Sequence, residues 1–155
     1  MNTDFELLKQ KAIEAIGKSR TMVLSTCSDN RVTSRSMSCI NDGLKILFQT
    51  SSETMKYKQI IKNPNVSLCS GNMTIEGTAR ILNHPLKEDK FIKRFKAVHK
   101  GSYNAYSFMR SEVVIEVTPK LITFWNYTDE KPYQDFLNLE TESATRQMYD
   151  TSDRI

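Results

Sequence analysis

Residues 21–50, TMVLSTCSDNRVTSRSMSCINDGLKILFQT, decide the fold class. Three runs within them, TMVLSTC (21–27), RVTSRSMSC (31–39) and LKILFQT (44–50), are short and rich in apolar or β-branched residues. They are separated by the polar groups Asp29-Asn30 and Asn41-Asp42-Gly43. That spacing predicts three strands in an antiparallel meander. Asp42-Gly43 supplies the positive φ angles that a tight primed turn or a bulge demands. The simplest pairing therefore sets strand 31–39 against strand 44–50.

Outward from this meander the hydrophobic period alternates between helix and strand. Residues 3–18 place Phe5, Leu8, Ala12, Ala15 and Ile16 on one helical face, with Gly17 at its end. Downstream, MKYKQIIKN reads as a short helix, with Thr54 as N-cap and Asn63-Pro64 as its stop. VSLCS (66–70) and MTIEGTARIL (73–82) read as strands, the second with Met73, Ile75, Gly77, Ala79 and Ile81 on its buried face. Residues 86–100 return to a helical period with Phe91, Phe95 and Val98 as the apolar stripe. EVVIEVTP and KLITFWN then make two more strands, seven in all. Parallel strands need a crossover at every step, so this order predicts a mainly β fold with peripheral helices, closed as an antiparallel barrel. The chain reads as one domain over 1–155, with an N-terminal amphipathic helix (1–18) and a polar C-terminal extension (132–155). Phe136, Leu137, Leu139, Met148 and Tyr149 are the extension's apolar anchors, and it is expected as a docked helix or a frayed end.

Composition narrows the function classes. With 22 Lys+Arg against 18 Asp+Glu the net charge is +4, and 39% of the 155 residues are hydrophobic. That excludes a disordered or polybasic chain. The lysines of 86–100 read as the solvated face of a buried-stripe helix, so a nucleic-acid partner is not expected. No run approaches the roughly 18 apolar residues of a membrane span, and the N-terminus lacks a signal-peptide core. Cys27, Cys39 and Cys69 are odd in number and far apart, as expected of a reducing, cytoplasmic setting without disulfides. His84 and His99 stand apart and neither CxxC nor HxxxH occurs, so no metal site is expected. Ser/His/Asp patterns, paired carboxylates and glycine-rich nucleotide loops are also missing, so the sequence names no catalytic side chain.

The chemistry-bearing stretch is TSSETMK (50–56). Thr50, Ser51, Ser52 and Thr54 lie between a strand end and a helix start, with Lys56 in the first turn. Free helix amides, hydroxyl donors and one lysine suit a phosphate, although the same residues would also make an ordinary capped helix with a solvated lysine. Arg35 sits mid-strand among serines, either as an exposed barrel arginine or as a guanidinium for an anion. Ser36, Met37 and Ser38 beside it offer backbone groups to a planar heterocycle.

Taken in order, RVTSRSMS, ILFQTSSETMK, NPNVSL, TIEGTARI and ITFW resemble the pyridoxamine 5'-phosphate oxidase-like family over about residues 5–126. The resemblance implies the FMN-binding split β-barrel and a homodimer with FMN at its interface. It further implies a flavin-dependent oxidoreductase acting on a small-molecule substrate, with NADH or NADPH as candidate electron donors. A non-catalytic flavin-binding or sensor protein, and a related barrel holding deazaflavin or haem, are the alternatives. On the same basis Arg35, Ser36, Met37 and Ser38 look like the strand along the flavin, and Gln49, Thr50 and Ser51 like its pairing partner. Ser52 and Lys56 resemble the phosphate-binding positions. Asn72 matches an amide presented from the other subunit, and Trp125 a tryptophan near the ring, though a strand tryptophan also packs cores and interfaces. The chain departs from true pyridoxamine 5'-phosphate oxidases at Ile40 and Met55, where those carry lysine and arginine. It also lacks their arginine-histidine pair after the tryptophan, where only Lys131 and Tyr133 stand near.

Overall fold

A computed structural model describes residues 1–155. The elements run α1 (Phe5–Lys18), β1 (Thr21–Ser28), β2 (Arg31–Ser38), β3 (Ile40–Asp42), β4 (Lys45–Ser51), α2 (Met55–Lys62), β5 (Asn65–Ser70) and β6 (Met73–Ile81). A 3-10 turn (Pro85–Lys87), α3 (Asp89–Val98), α4 (Lys100–Tyr106), β7 (Glu112–Thr128), β8 (Lys131–Asn138) and β9 (Ser143–Met148) complete the chain. Every strand pair is antiparallel, in the order β2-β1-β5-β6-β7-β4-β3, with β8 and β9 added beyond β7. The sheet curls until β2 comes back alongside β4 without pairing to it, which leaves the barrel split along that line.

The split arises where the expected meander fails. Asp29 and Asn30 take φ of 51° and 62°, both positive as a two-residue primed turn requires, and lock β2 onto β1 from Ser28↔Arg31 to Thr21↔Ser38. At Cys39 the chain turns away: its N–H donates to Arg20 O at 2.8 Å and its side chain is buried. The Asn41-Asp42-Gly43 turn therefore joins β4 not to the strand 31–39 but to the three-residue β3. Strand β4 pairs with β3 and β7, so Gln49, Thr50 and Ser51 are not the pairing partners of Arg35–Ser38.

Nine strands replace the expected seven. EVVIEVTP and KLITFWN are one 17-residue strand, β7. Proline normally ends a central strand, but the register against β6 shifts between Glu76 and Gly77, with Leu121 opposite Glu76 and Pro119 opposite Gly77. The bulge absorbs the missing N–H. The C-terminal extension is neither a helix nor frayed through Met148: β8 and β9 form a hairpin that puts Leu137 and Ala144 into the core. Its buried Asp135 takes a two-bond ion pair from Arg146, at 2.7 and 3.0 Å. The expected helix 86–100 is broken at both ends, into the 3-10 turn, α3 and an additional α4.

The main core gathers Leu8, Ala12 and Ile16 of α1 with Met22, Leu24, Ile46, Phe48, Leu68, Ile75, Ile115, Ile122 and Phe124 from the sheet. A second cluster of Ile40, Phe91, Phe95 and Val114 fixes α3 over the split, with the two phenylalanine rings stacked at 4.9 Å. No helix is long and apolar enough to cross a membrane.

Candidate functional site

Between β2 and β4, under α3 and α4, lies a cleft of about 330 Å³. Ser36, Met37 and Ser38 form one wall and Gln49, Thr50 and Ser51 the other, with Thr54 and Lys56 at the start of α2 closing one end. Phe95, Ser102, Tyr106 and Met109 roof it, and Glu112 completes the lining. Because β2 hydrogen-bonds only to β1, its outer backbone edge faces this space with N–H and C=O groups free to pair with a ligand.

The polar groups are held in defined positions. Thr50 Oγ1 lies 3.0 Å from Lys56 Nζ, which donates to it, and 3.1 Å from Thr54 Oγ1. Thr54 occupies the N-cap position of α2, but its hydroxyl donates to Ser51 O rather than capping the helix. The first-turn amides of α2 therefore receive no bond from that side chain. Buried Gln49 accepts a hydrogen bond from Ser107 Oγ at 2.8 Å through Oε1, while its Nε2 has no partner. A buried amide donor left unpaired costs about 1–3 kcal/mol, so it marks a place where a ligand acceptor is expected.

The electrostatics are lopsided. Burial, and next the positive charge of Arg35, hold the Lys56 ammonium below the usual lysine range, against the opposing pull of Glu112. Burial pushes the Glu112 carboxyl above the usual range, with Lys56 and His84 acting the other way. The ion pairs of the structure are Lys45–Glu116, Lys62–Asp29, Arg80–Glu116 and Arg146–Asp135, which leaves Lys56 and Glu112 without a direct partner.

Nine of the eleven residues singled out from the sequence lie in or against this end of the fold, and seven of them line the cleft: Ser36, Met37, Ser38, Gln49, Thr50, Ser51 and Lys56. Arg35 lies behind Lys56. Its guanidinium donates to Leu24 O at 3.3 Å, to Thr26 Oγ1 at 2.8 Å and to Thr33 Oγ1, and buried Gln59 bonds both of those threonines. Burial lowers its pKa from the usual arginine value. Ser52 stands in the turn after β4, its N–H donating to Ser111 O at 2.8 Å. Asn72 and Trp125 lie apart from the cleft and hold each other. Asn72 Nδ2 donates to Trp125 O at 2.8 Å, and the indole packs on Tyr149 with ring centroids 5.1 Å apart.

Sequence reasoning missed Glu112 and the roof residues Ser102, Tyr106 and Met109. Glu112 is a carboxylate opening an apolar strand, a signal that acquires meaning only once β7 pairs with β4 at Ser51↔Glu112. The two histidines are engaged with backbone: His84 Nε2 with Met109 O and His99 Nε2 with Cys39 O, each at 2.8 Å.

Comparison with known proteins places this geometry. The family model described as pyridoxamine 5'-phosphate oxidase matches residues 8–126. General stress protein 26 of Bacillus subtilis (strain 168) is 27% identical over 135 residues, which is 81% of this chain and 93% of that protein. The crystal structure of General Stress Protein 26 from Bacillus anthracis superposes with a TM-score of 0.62 at 26% identity, covering 85% of this chain and 98% of the other. At 11% identity the fold alone is shared with the heme storage protein HutZ from Vibrio cholerae, with a TM-score of 0.59 over 76% of this chain and 91% of that one.

Proposed function

The chain belongs to the pyridoxamine 5'-phosphate oxidase family, and from that premise we propose that it is an FMN-binding oxidoreductase acting on a small substrate. The observation that carries the reading is the cleft between β2 and β4. It combines an open strand edge, the unpartnered Gln49 Nε2 and a lysine at a helix start without an ion-pair partner. These are the donors that a phosphorylated, acceptor-rich planar cofactor requires. Lys56, Thr50 and Thr54 would hold the phosphate end, aided by the α2 amides and by the positive charge of Arg35 behind them. Ser36–Ser38 and Gln49 would hold the ring end. When bound, FMN supplies hydride or single-electron chemistry. The protein's part is to place the ring, hydrogen-bond its edge and exclude water beneath Phe95, Tyr106 and Met109. No catalytic acid or base is needed.

The exposed Asn72 and Trp125 fit the same reading as a contribution to a second subunit's site, which makes the functional unit a homodimer. A flavin is favoured over haem because both histidines are committed to backbone oxygens. Visible absorption of the purified protein, before and after excess FMN and desalting, tests the proposal. Retained bands near ~450 nm support it. A protein that stays colourless and releases all FMN refutes it. Loaded protein is then screened with NADH, NADPH and candidate acceptors, and a marked preference for one pair separates an enzyme from a flavin carrier.

A further inference from the structure

Glu112 is the one acidic side chain lining the cleft, 4% exposed, on the first residue of β7 opposite Ser51. It shares the space with Lys56, whose ammonium is turned to Thr50 Oγ1 rather than to the carboxylate. Resting on the flavin reading above, we propose that Glu112 takes up a proton from solvent when a phosphomonoester occupies the Lys56 end of the cleft. The neutral carboxyl then donates its hydrogen to that group.

The argument is one of charge and hydrogen-bond type. Lys56 and Arg35 bring two positive charges to this end. A phosphate dianion beside an ionised Glu112 would place three negative charges against them, in a cleft roofed by Phe95, Tyr106 and Met109. Like charges sharing a site force one of them to hold a proton. A carboxylate can only accept hydrogen bonds, as a phosphate does, whereas a protonated carboxyl carries an O–H donor. Protonation thus turns a repulsive contact into a bonding one, and only the O–H bond on Glu112 is formed. The charged groups acting on Glu112 are Lys56 of α2 and His84 ahead of the 3-10 turn, with Arg35 of β2 behind Lys56, and Tyr106 of α4 lines the same cleft. Arg110 lies two residues before it, in the turn that leads into β7. Burial already biases the carboxyl toward its protonated form in the free protein, so the uptake appears at pH values above its raised midpoint.

The test is isothermal titration of FMN into wild type and Glu112→Gln, in buffers of different ionisation enthalpy, between about pH 6 and pH 9, with riboflavin as the ligand lacking phosphate. Uptake of close to one extra proton by wild type is expected, with affinity falling up to tenfold per pH unit beyond that of the variant. Riboflavin should show no such difference. Equal proton uptake and equal pH slopes in wild type and Glu112→Gln overturn the proposal. A carbon-detected titration of labelled glutamate carboxyls in wild type, with and without inorganic phosphate, decides the same point with neither FMN nor the variant. An upward move of the Glu112 midpoint with phosphate upholds the proton uptake, and an unmoved midpoint overturns it. Should FMN fail to bind at any pH while this midpoint moves, the flavin reading falls and the phosphate-linked proton stands.

Discussion

Gln49 offers the sharpest separation of stability from function. Its Nε2 is buried without a partner, while its Oε1 satisfies the fully buried Ser107 hydroxyl at 2.8 Å. In the flavin-free protein the orphaned donor costs about 1–3 kcal/mol, and the Ser107–Gln49 bond returns only about 0.5–1.5 kcal/mol. Replacing both groups at once, Gln49→Met with Ser107→Ala, removes the unpaired donor and the bond together. Methionine fills a similar volume, for which repacking costs less than about 1.5 kcal/mol. The double variant is expected to match wild type or exceed it by about 1 kcal/mol in urea denaturation of flavin-free protein. Gln49→Met alone strands the Ser107 hydroxyl and should be less stable than the double variant.

Binding should move in the opposite direction. If Nε2 waits for an acceptor on the ligand, its removal forfeits one hydrogen bond and leaves that acceptor unpaired, a loss of about 1.4 kcal/mol or more. That corresponds to at least about tenfold weaker FMN in a flavin-fluorescence titration. A double variant that loses more than about 1 kcal/mol of stability, or binds FMN as tightly as wild type, refutes the view that Gln49 is kept for a ligand.

Lys56→Ala should weaken FMN by on the order of 1–3 kcal/mol, the scale of a charge-assisted contact; an unchanged dissociation constant would remove Lys56 from the phosphate site. Arg35→Ala should lower flavin occupancy and also destabilise the protein, because Leu24 O, Thr26 Oγ1 and Thr33 Oγ1 lose their common donor. A variant that purifies fully loaded argues against its electrostatic role. Gly77→Ala would set a Cβ 2.6 Å from Thr118 O and 3.2 Å from Pro119 Cα, both backbone atoms at the bulge. A cost of about 1–3 kcal/mol in urea denaturation is expected, and an unchanged midpoint would mean that β7 can give way there.

What was legible in the sequence was local. The alternation of Met73, Ile75, Gly77 and Ala79 appears in β6 with all four buried, and the helix 3–18 appears as α1 with Leu8, Ala12 and Ile16 inward. Phe91 and Phe95 form the buried stripe of α3 as their four-residue spacing requires. What was not legible depended on pairing. A Gly-containing turn signals a hairpin but does not say how long its first strand is. The break at Cys39 is set by a bond to Arg20 O and by burial of Cys39, neither of which leaves a period in the sequence. Pro119 read as a strand end because the bulge that accommodates it belongs equally to Gly77 on the neighbouring strand. The tail read as helix or frayed end because its apolar positions are sparse. Yet the positive φ of Asp129 and Glu130 folds β8 back onto β7, and the Asp135–Arg146 pair ties β9 to β8.

The candidate site follows the same division. Thr50–Lys56 is contiguous in sequence and was visible as a hydroxyl-rich strand end meeting a helix, whereas Glu112 and the α4 roof reach the cleft only through the β4–β7 pairing and the break after α3. The departures from true pyridoxamine 5'-phosphate oxidases take on physical meaning here. Ile40, where those enzymes carry a lysine, is 8% exposed and packs with Phe91, Phe95 and Val114, the cluster that fixes α3 above the cleft. A lysine at that position would bury an unpaired ammonium in the roof's foundation, at a cost that packing could not offset. Met55, by contrast, is exposed at the first position of α2. The lysine and arginine of those enzymes are thus missing for two different reasons, one built into the core and one a matter of surface choice. On the reading proposed above, a chain with the Lys56 end of the cleft but without those two cations would hold a phosphorylated cofactor and leave its substrate to the rim of Phe95, Tyr106 and Met109.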